Sequence, residues 1–262
     1  MAASSLAERL HAGETIFSAW STLPEPIVAE LMARADFDAV ILDSQHGLHT
    51  VESLMRCIGA VRLVGKPAVV RLPLADFALA SRALDLGADG VIAPLINTGE
   101  DARALVAATK YPPVGERSWG PLRTMTLHGV PDMATQLRSA NANTFALAMI
   151  ETEKALANID DILSVPGLDG VFMGPSDLSV TLSSGDKITP TDDWLDSSIR
   201  QIADRAGAAN KITGAYAANP TRVRRFREFG YRFFAMGSDQ VHLGDGMRAM
   251  IRDVADLRGR AQ

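Results

Sequence analysis

Short apolar runs alternate with longer amphipathic stretches along the whole chain. The runs hold four to seven residues rich in Val, Ile, Ala and Phe, which is typical of strands buried on both faces of a parallel sheet. Eight runs are predicted as strands: Ile16–Trp20, Ala39–Asp43, Ala68–Leu72, Gly90–Leu95, Phe145–Glu151, Gly170–Met173, Ile212–Ala217 and Phe233–Gly237. Because helical stretches separate the strands, the order predicts an α/β fold, a (β/α)8 barrel.

A doubly wound open sheet is the alternative fold. It should carry a glycine-rich phosphate turn after its first strand, and the segment Ser21-Thr22-Leu23-Pro24 is not one. No low-complexity linker interrupts the chain, so residues 1–262 are predicted to form a single barrel domain. Two stretches break the alternation, 111–133 and 183–193, and loops of that length are usually lids or binding loops.

Helix signals support the barrel. Helices are predicted over Pro26–Ala35, over Val51–Val64 with Thr50 as the N-cap, and over Glu153–Ser164 before the Pro166-Gly167 turn. The segments LDLGADGV and VPGLDGVF share one order of helix, glycine, Asp-Gly and strand, which fits repeated αβ units.

Composition narrows the class of protein. The chain has 262 residues, 47% of them hydrophobic, and a net charge of -5, which does not resemble the basic surface of a nucleic-acid-binding protein. The single Cys57 excludes an intramolecular disulfide. The N-terminus lacks the apolar core of a signal peptide, and no apolar run is long enough to cross a bilayer. We therefore expect a soluble cytoplasmic protein with neither nucleic acid nor membrane as a partner.

Two acids follow predicted strands and carry the chemical prediction. Glu151 ends the apolar run FALAMI, and Asp177 follows the run GVFM. Ligands bind at the carboxyl ends of parallel strands, so the two carboxylates should converge there and repel each other. A divalent cation with oxygen ligands would allow both to stay ionised. The pair predicts a metal-assisted enzyme.

Other polar residues follow strands in the same way. His46 lies just past the second strand, where Asp43 could orient its imidazole for proton transfer; the structural alternative is a surface histidine with a local hydrogen bond. Arg71 ends the third strand and could bind a carboxylate or keto acid, or form a structural ion pair. Arg117 and Arg123 lie in the loop GERSWGPLR, which could close over an anion or remain solvated.

Two further segments follow predicted strands and could contact a ligand. At Gly174-Pro175-Ser176, backbone N–H groups at a helix N-terminus could hold substrate oxygens, and a simple helix cap is compatible with that role. The segment MGSD follows the last strand, where barrels often bind phosphate, but Asp239 argues against an anion there. None of the lysines lies at a predicted strand end, which disfavours a Schiff-base mechanism.

These residues resemble the HpcH/HpaI aldolase family of metal-dependent pyruvate aldolases. The matching segments are LDSQHG, VVRLP, GADGVIAPLINT, YPPVGERSWGP, MIET and VFMGPSDLS, in family order from about residue 40 to about residue 180. The resemblance implies reversible aldol cleavage of 2-keto-4-hydroxy acids to pyruvate and an aldehyde. It also implies a homo-oligomer, a hexamer or trimer, whose last helix, about 244–257 here, is often exchanged between subunits.

The resemblance also implies roles for individual residues. Glu151 and Asp177 would be the ligands of Mg²⁺, Mn²⁺ or Co²⁺, Arg71 would bind the keto acid, and His46 would be the base, acting through water. Asp43 and Asp85 would support His46, with Asp85 acting across a subunit boundary.

The chain departs from the family pattern at several positions. Gln45 replaces a frequent Glu, Met149 replaces a Gln found near the metal in some members, and the loop GERSWGP differs from the GxRGxG form. These departures leave the aldehyde open, and they leave hydroxypyruvate open as a donor. Two alternatives also remain: an acyl-CoA lyase of the citrate lyase β or malyl-CoA type, and a non-catalytic barrel that binds a keto acid.

Overall fold

The computed structural model describes residues 4–258, and these residues form a closed barrel of parallel strands in the order β1 to β8. The strands are β1 Ile16–Ser21, β2 Ala39–Asp43, β3 Ala68–Arg71, β4 Gly90–Ala93, β5 Phe145–Ile150, β6 Gly170–Met173, β7 Ile212–Ala217 and β8 Phe233–Met236. The barrel closes by pairing of β1 with β8, in which Ile16 lies opposite Phe233. The predicted (β/α)8 barrel is confirmed, and the open sheet is excluded.

Helices connect the strands and surround the barrel. The helices are α1 Leu6–His11, α2 Pro26–Arg34, α3 Val51–Leu63, α4 Phe77–Asp85, α5 Gly99–Thr109, α6 Leu122–His128, α7 Met133–Asn143, α8 Glu153–Ala157, α9 Ile159–Leu163, α10 Pro175–Leu182, α11 Asp196–Ala208, α12 Pro220–Phe229 and α13 Asp239–Arg252. Short 3-10 helices cover Asp193–Leu195 and Ala255–Leu257. Within residues 4–258, no helix is both long and apolar enough to cross a membrane.

One predicted helix and one predicted loop need correction. The helix expected over residues 153–164 is divided at Asn158, which ends α8 and precedes α9. The stretch 111–133 is not wholly a loop, because α6 forms inside it and ends at Gly129 in the left-handed conformation. Thr50 caps α3 as predicted, and its side chain accepts a hydrogen bond from the N–H of Ser53. Residues 1–3 and 259–262 of the predicted domain lie outside the described range, and its single-domain character stays a prediction.

The apolar core has two layers. The inner layer fills the barrel, where Phe233 makes edge contacts with Phe145 and Phe172 at ring-centroid distances of 6.0 Å. Helix α1 belongs to this layer, since Leu6 and Leu10 pack with the inner residues. The outer layer lies between the strands and the surrounding helices. The barrel is thus a packed core and not a pore, and only the ends of the strands are available for chemistry.

Aspartates join neighbouring strands at the end of the barrel where the strands begin. The residue just before β2, β4 and β6 is an aspartate whose carboxylate accepts a backbone N–H of the preceding strand. These bonds run from Phe17 to Asp38, from Ala68 to Asp89 and from Ala146 to Asp169, at 2.9, 2.9 and 2.7 Å. The paired cations are Arg9, Arg62 and Lys110. The Asp-Gly steps of LDLGADGV and VPGLDGVF therefore mark a strand-to-strand bond. The residue before β8 is Arg232, and there the backbone carbonyl accepts the N–H of Ile16 at 2.7 Å.

We predict that Asp89→Ala lowers the free energy of unfolding by about 2 kcal/mol, because it leaves a buried N–H and a guanidinium without an acceptor. Asp38→Ala is the matched control: it removes the same bond from a side chain that is 27% exposed, against 5% for Asp89, so about 1 kcal/mol is expected. Urea unfolding followed by circular dichroism measures both. Equal losses would contradict the dependence on burial.

Candidate functional site

A cavity of about 280 Å³ opens at the carboxyl ends of the strands. Its lining brings together most of the residues predicted from the sequence with several that were not. The lining residues are Trp20, Thr22, His46, Arg71, Met149, Glu151, Gly174, Pro175, Ser176, Asp177, Tyr216 and Ser238.

Glu151 follows β5 directly and is 2% exposed. One of its oxygens accepts the backbone N–H of Leu95 at 2.8 Å. The other faces Gly174, where an added Cβ would lie 2.4 Å from that oxygen. Glycine at 174 thus keeps open the space that the second oxygen of Glu151 occupies.

The backbone at Leu95 is strained. Its φ of 51° lies in the left-handed region, which leucine rarely adopts. The side-chain amide of Asn97 donates to the Leu95 carbonyl at 3.0 Å and helps to hold this turn. The sequence predicted strand up to Leu95, whereas β4 ends at Ala93, because the chain turns to present an N–H to Glu151. Pro94 was a signal of a turn here, because proline often occupies the first central position of a turn, but the positive φ of the leucine that follows it has no signal in the sequence.

Asp177 and Ser176 lie in the first turn of α10, and both are exposed. Gly174 precedes the helix without a side-chain cap, and Pro175 occupies its first position. The N–H groups of the first turn have no acceptor within the helix, so those of Ser176 and Asp177 are placed to bind an anion. The predicted helix start is therefore correct, and Ser176 does not act as its N-cap.

The two carboxylates interact unfavourably. Burial raises the pKa of Glu151 to about 7, with a further increase from the charge of Asp177, against which the Leu95 N–H and Arg71 act. A divalent cation between the two carboxylates would remove this repulsion. Among residues 4–258, no group of three or more His, Cys, Asp or Glu side chains could hold a metal. Two carboxylates with open positions suit Mg²⁺, which usually keeps several waters or substrate oxygens.

Arg71 and Asp43 form a buried bidentate ion pair across neighbouring strands. Nε and Nη2 of Arg71 donate to the two Asp43 oxygens at 2.8 and 2.6 Å. The Arg71 guanidinium also lies over the Trp20 ring, 4.7 Å from its centroid. Three of its five N–H groups remain free for a ligand, so the structural and the binding role predicted for Arg71 are compatible.

Asp43 does not orient the imidazole of His46 as expected. Burial favours a raised pKa, but hydrogen bonds and the charge of Arg71, with the N–H groups of Gln45 and His46, hold the pKa of Asp43 below its usual value. The bond to His46 involves its backbone N–H, at 3.3 Å, and fixes the loop while the exposed ring borders the cavity. Asp43 therefore positions Arg71 and the loop.

Asp85 and Arg117 lie away from the cavity of their own chain. They form an ion pair at 2.6 Å, and the Arg117 guanidinium lies 4.6 Å from the centroid of the Tyr111 ring. Asp85 ends α4, whose C-terminus points to the opposite end of the barrel from the strand ends. Arg117 was expected to bind substrate. Within one chain it does not reach the cavity, because its side chain is buried against Asp85.

Several lining residues were missed by the sequence analysis. Trp20, Thr22, Tyr216 and Ser238 belong to the ends of β1, β7 and β8 or to the turns after them. Their position relative to the strand ends was available from the sequence. Their residue types carry no catalytic signal, so nothing singled them out.

Comparisons with known proteins agree with this geometry. A sequence model of the family described as HpcH/HpaI aldolase/citrate lyase matches residues 17–245. A hydroxypyruvate/pyruvate aldolase of Rhizorhabdus wittichii is 36% identical over 94% of this chain and 96% of its own. A 4-hydroxy-2-oxo-heptane-1,7-dioate aldolase of Salmonella dublin is 33% identical over 93% of this chain and 91% of its own.

A solved structure is similar over the entire barrel. The HpcH/HpaI aldolase from Desulfitobacterium hafniense superposes with a TM-score of 0.90 at 27% identity, covering 99% of this chain and 100% of the other. The resemblance predicted from the motifs is confirmed: this chain belongs to the HpcH/HpaI aldolase/citrate lyase family.

Proposed function

We propose that this protein is a metal-dependent class II aldolase, a carbon–carbon lyase that reversibly cleaves 2-keto-4-hydroxy acids to pyruvate, or hydroxypyruvate, and an aldehyde. The observation that carries the proposal is one cavity that holds Glu151, Asp177, Arg71 and His46 at the strand ends. Relatives named as aldolases of this kind cover nearly the whole chain.

Glu151 and Asp177 would hold the divalent cation, Mg²⁺, Mn²⁺ or Co²⁺. When bound, the ion supplies Lewis-acid polarisation of the 2-keto group. Arg71 binds the keto acid through its free N–H groups, while Asp43 keeps the guanidinium in place. The N–H groups of Ser176 and Asp177 bind its carboxylate oxygens, at the wall formed with Gly174 and Pro175.

Proton transfer falls to His46. In cleavage, the C4 hydroxyl loses its proton to His46 through a water molecule, and the C3–C4 bond breaks. The aldehyde leaves, and the bonding electron pair forms the enolate of the keto acid, which Arg71 stabilises. Protonation of C3 then gives the methyl group of pyruvate, and synthesis follows the same steps in reverse.

A homo-oligomer, hexameric or trimeric, is part of the proposal. Helix α13 is largely exposed, with only Asp239 buried, and an apolar stripe at helical spacing runs along it and into the residues that follow it. The stripe residues are Leu243, Met247, Met250, Ile251, Val254 and Leu257. A groove of about 460 Å³ between α12 and β1 is lined mostly by apolar side chains, including Phe17, Phe37 and Val223. Exchange of α13 between copies would cover both surfaces.

The same assembly gives Asp85 and Arg117 a role. Asp85 lies beside Gly120, and Arg117 lies over the Tyr111 ring, which contacts Trp119. Trp119 and Leu122 are 42% and 69% exposed. Contact between Asp85 and a His46 therefore needs a second copy of the chain. In that position Asp85 would support the imidazole, and Arg117 would hold the Asp85 carboxylate.

The first prediction concerns the two metal ligands. Glu151→Gln and Asp177→Asn should each lower turnover of pyruvate and an aldehyde by at least about 100-fold, since each removes one anionic ligand. Both should also weaken Mn²⁺ binding in calorimetry while circular dichroism stays unchanged. Asp186→Asn, in the polar loop after α10, is the matched control.

Exchange of the pyruvate methyl protons with solvent, followed by NMR, tests enolate formation without any aldehyde. The proposal requires exchange that depends on added metal. Exchange that persists in a chelator-treated Glu151→Gln protein would refute the assignment. Cleavage of a malyl thioester in the absence of cleavage of free 2-keto-4-hydroxy acids would instead support the acyl-CoA lyase.

A second prediction tests Arg71. Arg71→Lys keeps a cation beside Asp43 but removes the bidentate fork. We expect kcat/KM for pyruvate to fall by about 100-fold, with a raised KM. Arg56→Lys, on the exposed face of α3, controls for the exchange of residue type. Unchanged kinetics would show that Arg71 only supports the loop.

The third prediction concerns assembly. Met247→Asp combined with Met250→Asp places two charges on the exposed stripe of α13. We expect light scattering to report a smaller particle than the wild-type oligomer, because desolvation of the charges disfavours apolar contact. Replacement of Arg248 and Arg252 by Gln changes the charge by the same amount away from the stripe. A wild-type monomer would refute the proposed assembly.

A further inference from the structure

The cavity has two chemically different walls. The ionic wall contains Arg71, Glu151 and Asp177, at the ends of β3, β5 and β6, and across the cavity from Arg71 and Glu151 lie the neutral hydroxyl groups of Tyr216 and Thr22, with that of Ser238 between their strands. We name the latter three residues the hydroxyl wall. They come from the ends of β1, β7 and β8, and in the closed barrel β1 lies opposite β5 while β7 lies opposite β3.

Trp20 lies between the two walls. Its ring lies beneath the Arg71 guanidinium on one side and makes an edge contact with Tyr216, at a centroid distance of 5.4 Å, on the other. The indole N–H donates to Asp43 at 3.2 Å and fixes the ring. A ligand that spans the cavity therefore passes over an apolar surface from charged groups to hydroxyl groups.

Each hydroxyl group keeps some hydrogen-bonding capacity. Thr22 Oγ1 donates to Asp239 at 2.6 Å and accepts from Gln240 at 3.0 Å, which leaves one lone pair. Ser238 Oγ accepts the N–H of Val241 at 3.4 Å, so its own proton is free to be donated. No group among residues 4–258 hydrogen-bonds the Tyr216 hydroxyl.

Tyr216 serves as a neutral donor or acceptor. Burial raises the pKa of its phenol, and of the nearby charges Arg71 lowers that pKa while Asp43 raises it. The phenol therefore keeps its proton at neutral pH and offers both a donor and an acceptor to the cavity.

Asp239 holds the wall in position. Its buried carboxylate accepts the backbone N–H groups of Thr22, Leu23 and Gln240, at 2.8, 2.9 and 2.9 Å, besides the Thr22 hydroxyl. These bonds tie the turn after β1 to the start of α13. Because the carboxylate lies directly behind Thr22, a second negative charge on the ligand would be repelled there.

We propose that the hydroxyl wall binds the hydroxyl group of the acceptor aldehyde, so that hydroxylated aldehydes are preferred over apolar and over carboxylated ones. This inference rests on the proposed aldolase function. The charged keto acid is held at the ionic wall, which matches its carboxylate, and the acceptor takes the remaining space. Neutral hydroxyl groups match an uncharged polar substituent, and although they can donate to a carboxylate, they supply no positive charge to balance it.

The test compares two aldehydes of equal size with pyruvate as the donor. Glycolaldehyde and propanal have the same number of non-hydrogen atoms and differ by a hydroxyl in place of a methyl group. We measure the ratio of their kcat/KM values in wild type, Tyr216→Phe and Ser238→Ala. Hydration of each aldehyde is the same in every assay, so a change in the ratio between proteins reports on the wall alone.

We expect each substitution to lower the glycolaldehyde-to-propanal ratio by about 3- to 10-fold, the effect of one hydrogen bond. Tyr231→Phe removes a buried hydroxyl that donates to Ile199, away from the cavity, and should leave the ratio as in wild type. Succinic semialdehyde, which carries a carboxylate, should be the poorest of the three acceptors.

Other outcomes would overturn the inference. A ratio that stays within about 2-fold of wild type in both cavity variants would show that the wall makes no hydrogen bond to the acceptor. A fall in the hydroxypyruvate-to-pyruvate ratio with an unchanged acceptor ratio would assign the wall to the donor. Absence of metal-dependent methyl exchange in pyruvate would refute the aldolase itself, and the inference with it.

Discussion

The burial of the Glu151 carboxylate, with Asp177 lining the same cavity, is the constraint on which the active site depends. Burial, and to a smaller extent the charge of Asp177, disfavours the ionised form of this 2% exposed side chain and raises its pKa to about 7. Glu151 is held on one side by the N–H of Leu95, whose backbone is strained, and Gly174 leaves room for its other oxygen. The ionised form of Glu151 is therefore favoured by a compensating positive charge, which connects the local geometry to metal chemistry.

Asp43 compensates the buried positive charge of Arg71. An arginine inside a cavity needs an anion when no substrate is bound, and Asp43 supplies one with both of its oxygens. Since three N–H groups of Arg71 remain free, substrate binding does not have to break this pair. The acid that the sequence assigned to His46 therefore acts mainly on the arginine, and the histidine is left accessible for proton transfer.

The strand order and the acids at the strand ends could be predicted from the sequence, because buried parallel strands leave an apolar signature and their polar ends converge by geometry. Pro94 could have indicated a turn after β4, but the positive φ of Leu95 could not be predicted, because the contact of its N–H with Glu151 is tertiary. The break at Asn158 and the burial of Arg117 against Asp85 likewise depend on packing. Thr22 and Ser238 lie in one wall only because the barrel closes, and closure is not visible at either position in the sequence.

Asp239 connects these observations. At the end of β8, many barrels bind a phosphate through backbone N–H groups, and the sequence argued against an anionic ligand at this position. The structure gives the reason: the Asp239 carboxylate itself accepts the N–H groups of Thr22, Leu23 and Gln240. An internal anion thus occupies the start of α13, where its negative charge disfavours an external phosphate. The cavity beside Asp239 is lined by neutral hydroxyl groups. The charged carboxylate of the substrate must therefore bind at the ionic wall, where Arg71, Glu151 and Asp177 lie.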